Sequence, residues 1–264
     1  MKEREVADER KEATDLKEHE RTIAAFFDLD GTLVALPSQE RRFFRTLRYR
    51  KAIPARNYFL WIREAMRLVP RGISAILHAN KMYLRGVQNC DERGGGGPAF
   101  FAQAIERVAW HAKQGHEIVL MSGTLEPLAR GTARAMEAGL AARGITVTIH
   151  VFATRLEEID GRWTGRVLGE AMFGEAKARA AKRLAEEMHL DLGRCYAYGD
   201  GLNDRWLLSA VGRPVAVNPS KDLADIARTR RWPVLNWEGK EMLTRRLSVH
   251  REAAERKELP RVIA

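Results

Sequence analysis

Two carboxylates, Asp28 and Asp30, stand two residues apart in the stretch Phe26-Phe27-Asp28-Leu29-Asp30-Gly31-Thr32-Leu33. An ionised carboxylate buried without a partner is very costly, so paired acids directly after an apolar run belong at the edge of a core. There they can hold a cation, and hard oxygen donors favour magnesium. A second acidic loop, Gly199-Asp200-Gly201-Leu202-Asn203-Asp204, also follows an apolar run, and its glycines permit close backbone approach. Between the two loops lie Ser122-Gly123-Thr124, whose hydroxyl and N–H groups can turn toward an anion, and Lys177. A lysine at a helix start opposes the helix dipole, which leaves a task elsewhere open. Read singly, each feature also fits a plainer role: an Asp/Gly turn, a Ser N-cap, a surface lysine. An EF-hand does not fit, because the twelfth position counted from Asp28 is Gln39, where a bidentate Glu belongs.

Such residues need strand ends and helix starts to hold them. Ile23–Phe27 reads as a buried parallel strand, and an open α/β sheet binds ligands beyond the C-terminal ends of its strands. Further strands are predicted at Glu117–Met121, Thr146–Phe152, Cys195–Tyr198 and Pro214–Val217, with helices at Ala99–Gln114, Leu125–Arg143 and Phe173–Leu190. Asp160-Gly161 predicts a hairpin turn between Leu156–Ile159 and Arg162–Leu168. The alternation predicts an α/β fold with a parallel sheet flanked by helices.

Residues 37–97 interrupt that alternation. Helices are predicted at Arg41–Lys51, Arg56–Val69 and Gly72–Val87, with breaks at Pro54 and Pro70-Arg71-Gly72. Phe43, Phe44 and Leu47, then Phe59, Ile62, Met66 and Leu68, recur at roughly helical spacing. Gly94-Gly95-Gly96-Gly97 reads as a hinge; no Gly-Lys-Ser/Thr follows it to make a phosphate loop. Between Pro37 and Asn89, twelve Lys or Arg face only Glu40 and Glu64, an excess equal to the formal charge of +10 for the whole chain. Most of these cations read as a solvated helix surface, while a cation-rich lid over a site would also steer anionic substrates toward it. The interleaved Tyr49, Tyr58 and Trp61, read mostly as helix core, leave a lipid-surface or nucleic-acid contact open. The charged stretch over 1–21 reads as a tail and residues 241–264 as a charged C-terminal helix; neither carries chemistry.

At 264 residues the chain has room for a core with a smaller insert. No apolar run approaches a membrane span, and the first residues lack the apolar centre of a signal peptide. With only Cys90 and Cys195, a reduced, cytoplasmic setting is expected.

In chain order, Asp28-x-Asp30-Gly31-Thr32, Ser122-Gly123-Thr124, Lys177 and Gly199-Asp200-Gly201-x-Asn203-Asp204 resemble the motif set of the haloacid dehalogenase (HAD) superfamily, in its phosphoserine-phosphatase-like branch, subfamily IB. The resemblance spans about Ala24 to Trp237. It implies a Rossmann-like parallel sheet over 22–36 and 98–240, with a helical C1-type cap over 37–97 inserted after the first strand. It implies Asp28 as the nucleophile that forms an aspartyl-phosphate, and Asp30 as the general acid and base. Ser122 and Lys177 would hold the phosphoryl oxygens, while Thr32, Gly123, Gly174 and Asn203 shape the loops around the phosphate. Mg²⁺ would be held by Asp28, the Asp30 backbone carbonyl, Asp200 and Asp204. In phosphoserine phosphatases a Glu soon after the first motif reads the substrate amine; here the corresponding stretch is Pro37-Ser38-Gln39-Glu40, with Pro37 at the acidic position. The departure counts against phosphoserine, and a cap this basic suits a polyanionic or lipid-headgroup phosphate of the phosphatidylglycerophosphate type. The expected partner is thus a phosphorylated small molecule or lipid headgroup, with peripheral membrane contact through the cap and no obligate nucleic acid. The alternative is a catalytically idle core whose basic insert binds nucleic acid or another anion.

Overall fold

A computed structural model describes residues 22–72, 76, 80–89 and 98–237. The tail over 1–21, the Gly94–Gly97 hinge and the helix expected over 241–264 lie outside the described residues.

The first strand, β1 (Ala24–Phe27), is buried on both faces. It is joined in one parallel sheet by β2 (Glu117–Leu125), β3 (Ile149–Thr154), β6 (Tyr196–Gly199), β7 (Arg213–Val217) and β8 (Val234–Leu235). The order β3-β2-β1-β6-β7-β8 reverses direction of travel between β1 and β6, the topological switch point where open α/β sheets bind ligands. Side chains of β1 alternate between two layers. Ala25 and Phe27 pack among residues of α3 (Ala102–Lys113) and α4 (Glu126–Ala141), such as Val108, Met136 and Leu140. Ala24 and Phe26 pack among residues of α5 (Glu175–Glu187), α6 (Arg205–Ser209) and α7 (Lys221–Arg230), such as Leu184, Leu207 and Leu223. Burying Phe26 and Phe27 completely contributes about 2–3 kcal/mol each.

The remaining strands, β4 (Leu156–Ile159) and β5 (Arg162–Val167), form the expected hairpin, with Asp160 and Gly161 both at positive φ. The hairpin does not extend the sheet. Trp163 N–H donates to the Val87 carbonyl and Gly86 N–H to that of Trp163, which ties it to the helical insert. That insert comprises α1 (Gln39–Tyr49) and α2 (Ala55–Leu68), with 3₁₀ turns at Val69–Arg71 and Met82–Leu84. Ser38 caps α1, its hydroxyl accepting from Arg41 N–H. Phe43, Leu47, Ile53, Leu84 and Val87 form a small core with Trp163 and Leu125.

Three expectations need correction. The helix expected over Gly72–Val87 does not reach its predicted end: the described part closes with a short 3₁₀ turn and bonds to the hairpin. The strand expected to end at Met121 runs on through Ser122-Gly123-Thr124 to Leu125, with an irregular register between Ser122 and Leu125. Finally, of the aromatics read mostly as helix core, Tyr49 and Tyr58 are 91% and 41% exposed, and Phe59, Ile62 and Met66, which mark the helical spacing, are also exposed at 67%, 53% and 62%.

Candidate active site

Asp28 follows β1 directly and Asp200 follows β6, so the sheet itself places them side by side at the switch point. The Asp28 N–H donates to the Tyr198 carbonyl (2.9 Å), extending the ladder to the first carboxylate. The chain then turns tightly through Gly31 (φ 93°), which returns a hydrogen bond to Val34 (2.8 Å). A Cβ on Gly31 would lie 2.2 Å from Asp200 Oδ2. Glycine is therefore required twice, by its dihedral angle and by the carboxylate beside it. We expect Gly31→Ala to cost about 2–4 kcal/mol, from left-handed strain plus overpacking, and to lower the melting temperature in a thermal scan by about 5–15 °C.

Lys177 arrives from the first turn of α5. That helix faces the core with Ala176, Ala180, Ala181 and Leu184, small enough for the helix to approach the sheet and carry the lysine stem inside. Lys177 is 3% exposed; its Nζ donates to Asp28 Oδ1 (2.5 Å) and Asp204 Oδ1 (2.7 Å). It is no surface lysine. Asp204 in turn accepts Gly201 N–H at Oδ2 (3.0 Å), which closes the acidic loop on itself.

Asp28, Asp200 and Asp204 can each offer one oxygen to a common group within 4.8 Å. Three carboxylates against one ammonium leave an excess of negative charge in a buried space. Burial pushes the Asp28 carboxyl up to about 7, against the pull of Lys177 and helped by Asp204; burial with Asp28 and Asp204 pushes Asp200 up to about 8. Burial alone would lower Lys177, but Asp204 and Asp28 raise it, so it stays charged. Hard oxygens in unmet excess fit a divalent cation such as Mg²⁺. Because these folded carboxyls titrate above their unfolded value of 3.8, they favour folding at low pH, and that stability is lost as pH rises toward 8. In metal-free buffer the melting temperature should therefore fall between pH 6 and pH 8.5, and Asp200→Asn should flatten that slope.

Asp30 is held differently. Its Oδ1 accepts Gln39 N–H (2.8 Å) and its Oδ2 accepts the Thr124 hydroxyl (3.0 Å). Burial raises its carboxyl, with both bonds opposing. Ser122 is buried, and its hydroxyl accepts Thr124 N–H (3.1 Å). A cavity of about 250 Å³ is lined by Asp28, Asp30, Ser122, Gly123, Lys177, Asp200, Asn203 and Asp204, together with Thr124, Ser38 and Glu40. Thr32 lies fully buried off this lining, its hydroxyl without a partner among the described residues. Gly174, also off the lining, starts α5 with φ 57°.

Sequence reasoning gave no role to Thr124 or to Gln39. Thr124 sits two residues after Ser122, the spacing that shares a strand face, and that period could have found it. Gln39 acts through its backbone, for which side-chain type carries no signal. Glu40 meets Lys81 Nζ (2.5 Å) and the Tyr83 hydroxyl (2.6 Å), contacts that no local pattern announces.

A family model described as haloacid dehalogenase-like hydrolase matches residues 25–209. A Mycobacterium tuberculosis protein named phosphoserine phosphatase SerB1 is 30% identical over 242 residues, covering 81% of this chain and 70% of its own length. A crystal structure of a protein of unknown function from Bordetella pertussis Tohama I is 30% identical, with a TM-score of 0.62 over 81% of this chain and 98% of that one. A phospho-aspartyl intermediate analogue of phosphoserine phosphatase shares the fold at 18% identity, with a TM-score of 0.55 over 85% and 99% of the two chains.

Proposed function

This chain belongs to the haloacid dehalogenase-like hydrolase family, and from that premise we propose that it is a Mg²⁺-dependent phosphatase that hydrolyses phosphate monoesters through an aspartyl-phosphate on Asp28. One observation carries the reading: Asp28 and Asp30, neighbours in sequence, have divided environments. Asp28 is gripped by Lys177 within the acidic cluster, while Asp30 is held apart by Gln39 and Thr124. Two carboxylates with separated surroundings take separate tasks. Asp28 Oδ2, the oxygen that Lys177 leaves open, attacks phosphorus and the ester bond to the alcohol breaks. Asp30, whose neutral form burial favours, gives its proton to the leaving oxygen and later takes one from the water that releases phosphate. Lys177 and Ser122 face the phosphoryl oxygens from the cavity wall and oppose the charge they gain. Asp28, Asp200, Asp204 and the Asp30 carbonyl would hold Mg²⁺, which supplies positive charge against the approach of two anions.

Release of p-nitrophenol from p-nitrophenyl phosphate tests this. Turnover is expected with Mg²⁺ and is expected to vanish on chelation; undiminished turnover in excess chelator would rule out the metal.

A second reading, a phosphatase of lipid headgroups, is favoured by one face of α2. Phe59, Ile62 and Met66 are joined by Val69 (61% exposed) in a single solvent-facing stripe, flanked by Arg56, Arg63 and Arg67. Exposed apolar residues edged by cations match the interface of an anionic bilayer. Co-sedimentation with phosphatidylglycerol vesicles, absent with phosphatidylcholine and lost in Ile62→Glu, would support it. Equal recovery with both lipids, or with neither, would remove it.

A further inference from the structure

The helical insert holds a second cavity, of about 430 Å³, lined by Phe44, Tyr58, Trp61 and Tyr83 together with Asn80, Lys81 and Arg41. It shares Ser38 and Glu40 with the cavity above Asp28, so the two chambers adjoin at those side chains. A monoester with its phosphorus at Asp28 can extend past Glu40 into this chamber.

Resting on the phosphatase reading of the site, we propose that the alcohol released carries an apolar body, an aromatic ring or an alkyl chain, and that this chamber receives it. Three of the chamber's polar groups, Glu40, Lys81 and Tyr83, are already engaged with one another. Glu40 Oε1 accepts both Lys81 Nζ (2.5 Å) and the Tyr83 hydroxyl (2.6 Å), and Lys81 is 3% exposed. An ammonium brought to Glu40 would meet a carboxylate whose charge a buried ammonium already opposes, and would stand close to that like charge. Asn80 spends its amide on the Trp61 carbonyl (2.8 Å) and its oxygen on Met82 N–H (3.3 Å). Arg41 is solvent-exposed, where an ion pair is worth little. What remains for a ligand is aromatic surface. A chamber of this size holds a ring or a chain of several carbons, and an amino-acid phosphate would leave most of it unfilled.

The test compares primary-alcohol esters of similar leaving ability: ethyl, hexyl and 2-phenylethyl phosphate, with phosphoserine alongside. Filling an apolar pocket changes kcat/KM by about tenfold or more, so hexyl or 2-phenylethyl phosphate should exceed ethyl phosphate and phosphoserine by at least that factor. A preference for 2-phenylethyl over hexyl assigns a ring, the reverse a chain. Trp61→Ala should bring the 2-phenylethyl-to-ethyl ratio toward one; should that variant not fold by circular dichroism, Tyr58→Ala, at the more exposed side of the chamber, takes its place. Equal kcat/KM for the three alkyl esters, or phosphoserine as the best substrate, overturns the proposal. Failure to turn over even p-nitrophenyl phosphate would instead count against the phosphatase reading. The chamber is then read by calorimetry with the full chain and Mg²⁺, where 2-phenylethylphosphonate must bind at least about tenfold more tightly than ethylphosphonate for the proposal to stand.

Discussion

Asp28→Asn is expected to reduce phosphate release by about 10⁴-fold or more, the scale on which losing a covalent nucleophile falls. The amide keeps the shape of the side chain but offers no anionic oxygen to phosphorus. Misfolding should not account for the loss. The wild-type carboxyl sits buried among Asp200 and Asp204 and is pushed up to about 7, so ionising it costs stability in metal-free protein. Replacing it with a neutral group removes that cost, while Lys177 keeps its bond to Asp204. The metal-free variant should therefore melt no lower than wild type at pH 8, with phosphate release almost absent in the same preparation. Activity within tenfold of wild type would remove Asp28 from the role of nucleophile.

Lys177→Met should damage both stability and turnover. A buried ion pair adds little over a well-packed apolar replacement, but deleting one partner leaves the others uncompensated and typically costs about 3–5 kcal/mol. Here two carboxylates, Asp28 and Asp204, lose the ammonium that holds them apart. The destabilisation should deepen as pH rises through about 7, where the Asp28 carboxyl, pushed up by burial, loses its proton. Turnover should fall by about 10²–10³, the usual loss when one fixed positive group facing a phosphoryl or acyl oxygen is removed. The double variant Lys177→Met/Asp204→Asn separates the two effects. Stability should partly return because the like charges are gone, whereas turnover should not. Recovery of activity with stability would mean that Lys177 only supports the fold.

The two cavities bear on each other through Glu40. Its carboxylate lines both, and it accepts from Lys81 Nζ and the Tyr83 hydroxyl. On the phosphatase proposal, the helical insert would choose the substrate and the strand ends would carry out the chemistry.

The sequence by itself determined the scaffold and which acids stand at its strand ends. Asp28, Asp30 and Asp200 could be assigned to strand ends because short apolar runs stop at them, and a charge stops a buried strand wherever it stands. The parallel order followed from helices alternating with strands. Partners across the chain were another matter. Lys177 lies 149 residues from Asp28, and its place at a helix start marks it without naming a partner; only the approach of α5 over its alanine face brings the ammonium between two carboxylates. Glu40 and Lys81, 41 residues apart, meet only because the insert folds back on itself. Periodicity likewise marked Phe59, Ile62 and Met66 as one face of a helix, but not which way that face looks. Local pattern records what a residue requires of its neighbourhood, whereas packing decides which neighbour supplies it.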